Sequence, residues 1–288
     1  MDKKRQKDNS LSIDDVVHSH NLEKYKVFVL QPQRSSLLFT DTYDDTIITL
    51  QIKQKINFLK IHGFKFDDIC EIKCTEKTWY LKYNGTIDNF DKNIGILIKD
   101  ITLVYLYING HIYKDNKMID IVNDIEILYN PYSFRQNDIS IKNIIYDVLK
   151  TEIVSKNLYL IGGEMVFYTA LLKPLNIIMY TDFESIYDDA VTNFKNLKSD
   201  IHLINYDKDK LEYRNNDYSL IANTSKHGLG DNLCKEINKL NLNEIIIISC
   251  NKISFVRDYK KLQIKYKLTK LFDINTNYSV SIYFLTKK

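Results

Sequence analysis

From Leu158 onward the chain alternates short apolar, β-branched runs with amphipathic stretches of helical length, and this alternation restricts the fold more than any other feature. Leu158 to Ile161 reads as a strand, followed by Gly162-Gly163 and a helix through Leu172. Asn176 to Tyr180 is a second strand, closed by Asp182 before a helix from Phe183 to Phe194. His202-Leu203-Ile204 and Tyr218 to Ala222 supply two more strands, then a helix runs from Asp231 to Leu240. Glu244 to Ile248 is almost wholly apolar, as expected of a strand covered on both faces, and Ile253, Val256, Tyr259 and Leu262 follow at helical spacing. Such alternation predicts a parallel sheet built by right-handed crossovers, hence an α/β fold. Lys265 to Phe272 and Tyr278 to Leu285 have no helix between them and predict a C-terminal antiparallel strand pair. A helix over Ile139 to Ile153, with a stripe of Ile141, Ile144, Ile145, Val148 and Leu149, leads into this region.

Before Asn130-Pro131 the pattern is different. Residues 1 to 20 are polar and mixed in charge and are expected to form a flexible tail. Residues 21 to 130 are expected to form a mostly antiparallel β domain, with strands at Tyr25 to Leu30, Thr46 to Leu50, Trp79 to Tyr83, Ile94 to Ile98 and Ile101 to Ile108. Asn84-Gly85 and Asn109-Gly110 are read as hairpin turns, and Lys53 to His62 as a helix. Trp79, Tyr80 and Tyr83 suit either stacking on nucleic-acid bases or a hydrophobic core.

With 288 residues there is ample chain for a large core, and a net charge of only +3 means that affinity for nucleic acid has to come from a local face. No apolar run reaches the roughly 18 to 20 residues of a membrane helix, and none follows Met1 as a signal segment, so a cytoplasmic protein away from membranes is expected. The four cysteines are too scattered for a disulfide scaffold. Cys70 and Cys74 form a lone C-x-x-x-C without a second pair, so neither zinc nor an iron-sulfur cluster is expected.

Cys250 falls where the Glu244 to Ile248 strand hands over to a helix. Ligands of open α/β sheets bind outside the carboxyl ends of the strands, so a thiol there is placed for chemistry; a buried structural cysteine is the alternative. The helix N-terminus and neighbouring Lys252 both favour a thiolate.

Several motifs between Asn130 and the C-terminus resemble those of the S-adenosylmethionine-dependent RNA 5-methyluridine methyltransferases. Ser133-Phe134-Arg135-Gln136-Asn137 resembles the family's S-F-x-Q-x-N segment, one residue shorter, whose Gln contacts the cofactor. Ile246-Ile247-Ile248-Ser249-Cys250-Asn251, with Arg257-Asp258 downstream, resembles Y-x-S-C-N-P and the helix after it, where the Cys is the nucleophile. Leu158 to Phe167 lines up with L-D-L-Y-C-G-x-G-x-F: Gly163 keeps the first motif glycine, while Tyr159, Ile161 and Met165 replace the acid, the Tyr and the second glycine. Asp182 takes the place of a Glu that accepts hydrogen bonds from ribose; capping the next helix is its other reading. Asn223-Thr224-Ser225-Lys226-His227-Gly228-Leu229 stands for D-P-P-R-x-G-L, with both prolines and the acid gone. The family's last strand carries a Glu base, whereas Asn277 to Ile282 has no carboxylate; water or Asp273, itself read as an exposed strand-end residue, would have to substitute.

The resemblance implies a class I methyltransferase fold, a Rossmann-like sheet with a C-terminal antiparallel pair, over residues 131 to 288. It implies transfer of a methyl group from S-adenosylmethionine to carbon 5 of a uridine in tRNA or rRNA. Cys250 would be the nucleophile, with Gln136, Ile161, Gly163, Asp182 and Asn223 around the cofactor. Independently of the resemblance, no metal and a monomeric protein are expected. The departures point to an alternative, a member that has lost turnover and acts by binding RNA or as a scaffold.

Overall fold

Strand and helix follow the apolar patterning closely in the C-terminal part and depart from it at several points in the N-terminal part. The computed structural model describes residues 23–28, 36–38, 49–136, 138–195, 199–213, 217–240, 242–275 and 280–288. The tail expected over residues 1 to 20, Asn137 of the SFRQN motif, and Asn277 to Ser279 lie outside them. In chain order the first strands are β1 (Glu23–Phe28), β2 (Ser36–Leu38), β3 (Ile69–Cys74), β4 (Trp79–Tyr83), β5 (Leu103–Ile108), β6 (His111–Asp115), β7 (Met118–Val122) and β8 (Ile125–Tyr129). The later ones are β9 (Asn157–Gly162), β10 (Asn176–Thr181), β11 (Ser199–Leu203), β12 (Tyr218–Thr224), β13 (Glu244–Ser249), β14 (Tyr266–Asn275) and β15 (Val280–Lys287). The helices are α1 (Leu50–Ile61), α2 (Phe90–Lys99), α3 (Ile139–Glu152), α4 (Met165–Leu172), α5 (Glu184–Asn193), α6 (Gly230–Leu240) and α7 (Lys252–Leu262).

Two compact units are present, one of Val29–Leu203 and one joining Met1–Phe28 to Ile204–Lys288. Within the first, β2 to β6 form a sheet in sequence order, β7 and β8 an antiparallel hairpin, and β9, β10 and β11 a parallel row with β10 in the middle. Its N-terminal core gathers Ile52, Ile56 and Leu59 of α1 against Ile72, Leu81 and Leu106 of the sheet, all fully buried. Thr49 caps α1 by accepting from the Ile52 amide, so the strand expected over Thr46 to Leu50 gives way to a helix start; its first three residues lie outside the described set.

The expected strand at Ile94 to Ile98 is instead part of α2. Ile94 and Leu97 are buried and Ile98 is exposed, a one-sided helical pattern that a five-residue apolar run does not reveal by periodicity alone. With α2 as a crossover, β4 and β5 pair in parallel, so Asn84-Gly85 is not a hairpin turn; the Gly85 amide and carbonyl bond the Asn109 side chain. The turn expected at Asn109-Gly110 does join the antiparallel strands β5 and β6. Trp79, Tyr80 and Tyr83 are core residues: the Trp79 indole donates to Asp100 at 3.0 Å, and Tyr80 stacks on Tyr105 with ring centres 4.6 Å apart.

In the second unit β1 pairs in parallel with β14, β14 and β15 are antiparallel, β15 lies antiparallel to β13, and β13 runs parallel to β12. Ile245 to Ile248 of β13 are buried. The strand–helix alternation β12–α6–β13–α7 and the closing antiparallel pair are those expected of a Rossmann-like sheet. None of the described helices is long and apolar enough to cross a membrane.

Burial works against ionisation of Asp100, but the Thr102 hydroxyl and amide, the Trp79 indole and Lys55 outweigh it and hold its carboxyl at about 2. A carboxyl held below its unfolded value stabilises the fold above that value and loses its contribution as pH falls through the folded one. The wild type is therefore expected to be more stable to urea than Asp100→Asn at neutral pH, with the difference vanishing as pH drops from about 4 toward about 2. A pH-independent difference would contradict this.

Candidate active site

Cys250 sits on the first residue past β13, exposed, in a turn whose backbone is held from both sides. The buried Ser249 hydroxyl accepts from the Asn251 amide at 3.2 Å. Asn251 is the N-cap of α7: its Oδ1 accepts from the amides of Ile253 and Ser254 at 3.0 and 3.4 Å. The same side chain donates through Nδ2 to the Lys226 carbonyl at 2.8 Å, and Ser254 Oγ donates to that carbonyl at 2.8 Å. One asparagine thus starts the helix and ties it to the loop after β12, leaving the thiol between them at the helix N-terminus.

The Gly228-Leu229 and Arg257-Asp258 pairs, read from the sequence as separate motif fragments, form one lock. Asp258, buried, accepts from the Leu229 amide at 2.6 Å and from Arg257 Nε and Nη2 at 2.9 and 2.7 Å. Arg257 also donates to the His227 carbonyl at 2.6 Å. Gly228 is at φ +75°, and a Cβ there would stand 2.3 Å from Asp258 Oδ2, so only glycine lets the loop approach. Asn223, at the end of β12 and in register with Ile248, is buried.

Lys252 does not offer its charge to the thiol in the way expected. Its ammonium is paired with Asp273 at 2.8 Å. Asp273, expected as an exposed strand-end residue, is buried at 6% exposure, and its Oδ1 accepts from Ser281 Oγ at 2.9 Å. Two strand ends and a helix start converge on it, which no local pattern in the sequence signals.

The other expected positions lie in the Val29–Leu203 unit. Gly163 follows β9, and a Cβ on it would come 2.7 Å from the Phe134 ring, so the SFRQ segment packs directly on this glycine. The Gln136 amide donates to Glu164 Oε1 at 2.7 Å, and Tyr168 donates to Oε2 at 3.1 Å. Glu164 is buried and takes the left-handed conformation (φ 59°). Burial raises its carboxyl above the ordinary range, opposed by the Gln136 amide and the Arg135 charge. Met165, replacing the second glycine, is buried and opens α4. Ile161 is buried within β9, whereas Asp182 is exposed just past β10. The N-cap of α5 is Phe183, with no capping side chain, so Asp182 is not the helix cap. Asp189 anchors the other end of the SFRQ segment, accepting from the Asn130 amide at 2.8 Å and Ser133 Oγ at 2.5 Å. No periodic pattern in the sequence singles out Glu164 or Asp189; an isolated acid inside the apolar Leu158 to Leu172 stretch is the one signal, and it marks the first. Among the described residues no group of three or more His, Cys, Asp or Glu is placed to hold a metal ion.

No family model matches the sequence, and no curated protein matches it. Among solved structures, the tRNA (uracil-54, C5)-methyltransferase of Pyrococcus abyssi, in complex with S-adenosyl-L-homocysteine, superposes with a TM-score of 0.68 over 92% of this chain and 79% of its own, at 14% identity. The chain has the class I methyltransferase fold. Two Methanocaldococcus jannaschii structures, Trm5 with adenosine and the tRNA m1G37 methyltransferase, also match. They do so at TM-scores of 0.49 and 0.48, with 14% and 12% identity, over 82% and 86% of this chain and 77% and 80% of theirs, too weakly to argue from.

Burial pushes the thiols of Cys74 and Cys234 up to about 12, while Cys250 is exposed. Iodoacetamide at about pH 8 is expected to alkylate Cys250 in the native protein at least tenfold faster than Cys74 or Cys234, read by peptide mass spectrometry. Equal labelling of the three would contradict the burial pattern.

Proposed function

We propose that this protein methylates carbon 5 of a uridine in RNA, tRNA or rRNA, with Cys250 as nucleophile and S-adenosylmethionine as methyl donor. The observation that carries the reading is the exposed Cys250 thiol, fixed by Asn251 and Ser254 at the carboxyl end of β13, in a chain with the class I methyltransferase fold. In this reading residues 131–288 carry out the transfer and 21–130 contact RNA; the likeness to the uracil-54 enzyme spans 92% of the chain.

When bound, S-adenosylmethionine supplies a methyl group activated on a sulfonium. The residues proposed to hold it are Asp182, whose exposed carboxylate suits ribose hydroxyls, Gly163, in the turn on which Phe134 packs, and Gln136 and Asn223, whose side-chain amides each donate and accept. Ile161 would act from beneath this turn by packing. Cys250 does the covalent work. Carbon 5 of uracil is too weak a nucleophile to take the methyl group unaided, so the thiolate adds to carbon 6 and pushes electron density onto carbon 5. Carbon 6 is inaccessible within a stacked helix, which calls for a flipped or single-stranded uridine.

A second reading, RNA binding without turnover, is favoured by Asn223 in place of an acid and by the lack of a carboxylate in Val280-Ser281-Ile282. Two experiments together separate the readings. Calorimetry is expected to show S-adenosylmethionine binding that is weakened at least tenfold by Asp182→Ala and by Gly163→Trp and kept by Cys250→Ala. RNA containing 5-fluorouridine is expected to form a covalent complex with the wild type and none with Cys250→Ala. Cofactor binding without that complex would favour the second reading, and no cofactor binding would remove the first.

A further inference from the structure

We propose that a cavity between α3 and the β7–β8 turn takes backbone phosphates of the bound RNA, an inference that rests on the reading of this chain as an enzyme acting on RNA. The cavity lies wholly within the Val29–Leu203 unit and shares no residue with the positions assigned to the thiol or the cofactor.

It is open, about 310 Å³ in volume, and its walls are mainly polar. On one side stand Lys142, Tyr146 and Lys150, each four residues from the next on α3 and therefore in one stripe along the helix. On the other is Asn123, at φ 50° in the turn that joins β7 to β8. Asn123 is committed to the fold: its Oδ1 accepts from Lys150 Nζ at 2.8 Å, and its Nδ2 donates to the Leu171 carbonyl at 3.0 Å. The first of these bonds holds the Lys150 ammonium at the wall and leaves its other two N–H donors for a ligand.

Two groups here lack the partners that their burial calls for. Tyr146 is buried at 8% exposure, and its hydroxyl has no hydrogen-bond partner among the described residues. Buried hydroxyls are costly to leave unmatched, so this one points to a bond made with a ligand. Lys142 is half-buried, with Nζ 5.9 Å from the centre of the Tyr146 ring, and no carboxylate among the described residues pairs with it. Lys55, Lys73 and Lys117 of the same unit, similarly half-buried, are paired with Asp100, Glu71 and Asp189. Burial and the Arg135 charge push the Lys142 amine below the usual lysine range, an effect that an incoming anion would oppose. Asp147, a carboxylate on the same wall, is exposed and pairs with neither lysine.

Ammonium and phenol donors on one stripe select an anion. Lys142 and Lys150 stand about 12 Å apart along α3, a span that suits successive phosphates of one strand better than a single small anion.

The test measures binding of a fluorescently labelled, unmodified tRNA transcript by anisotropy, from about 50 to about 200 mM salt. Replacing both lysines, Lys142→Met with Lys150→Met, is expected to reduce the slope of log affinity against log salt by about 1.5, two phosphate contacts' worth. Tyr146→Phe removes the hydroxyl alone, and is expected to weaken binding about tenfold with the slope unchanged. Lys92→Met with Lys99→Met removes two exposed lysines of α2 and is expected to change neither. Wild-type slope and affinity in the Lys142 and Lys150 double variant, or an equal loss in the two double variants, would overturn the site. Thermal unfolding in inorganic phosphate against chloride at equal ionic strength separates the sources of phosphate. A shift that the Lys142 and Lys150 double variant abolishes, with RNA binding the same as wild type, would give the cavity to a free phosphorylated molecule and overturn the RNA contact. A wild type that binds no RNA even at about 50 mM salt would instead remove the reading of the chain as an enzyme acting on RNA.

Discussion

The arrangement at the end of β13 depends on one backbone carbonyl, that of Lys226, which accepts from both Asn251 Nδ2 and Ser254 Oγ. Through it the loop after β12 and the first turn of α7 become one piece. Asp258 repeats the connection seven residues further on by holding the Leu229 amide, and the absence of a side chain at Gly228 makes the approach possible. An exposed cysteine in an ordinary loop would sample many positions. Here the residues on either side of it are hydrogen-bonded into place, so the entropy of ordering the thiol is met by the fold.

The Val29–Leu203 unit uses the same device with acids in place of a carbonyl. Asp189 holds Asn130 and Ser133, and Glu164 holds Gln136, so the short SFRQ segment is gripped at both ends while Phe134 packs on Gly163. Burying Glu164 is costly, and its two hydrogen bonds and the Arg135 charge offset only part of that cost, so its carboxyl stays above the ordinary range. The left-handed position in this loop is filled by Glu164, whose side chain is buried, and Met165 opens α4.

Much of the strand–helix order after Leu158 was legible in the sequence because β9, β10, β12 and β13 are largely apolar runs and helices such as α6 and α7 keep a buried stripe. The Ile94 to Ile98 run was misread because five apolar residues fit either element, and only the parallel β4–β5 pairing, which needs a crossover, decides for a helix. Of the candidate site, the Ser249-Cys250-Asn251 turn and the exposed Asp182 were legible, since both follow directly from strand ends. The long-range partners were not: Ser133 meets Asp189 56 residues away, and Lys252 meets Asp273 across 21. A single acid carries no periodicity, so Asp273 looked like a solvated strand end until the antiparallel register set it beside Ser281.

The account turns on whether this chain makes 5-methyluridine through Cys250. The most direct measurement is nucleoside analysis of RNA, transcribed without modification, after incubation with the protein and isotope-labelled S-adenosylmethionine. Label recovered in 5-methyluridine with the wild type and absent with Cys250→Ala is the expected result. Label in another nucleoside, or equal label in both proteins, would contradict it.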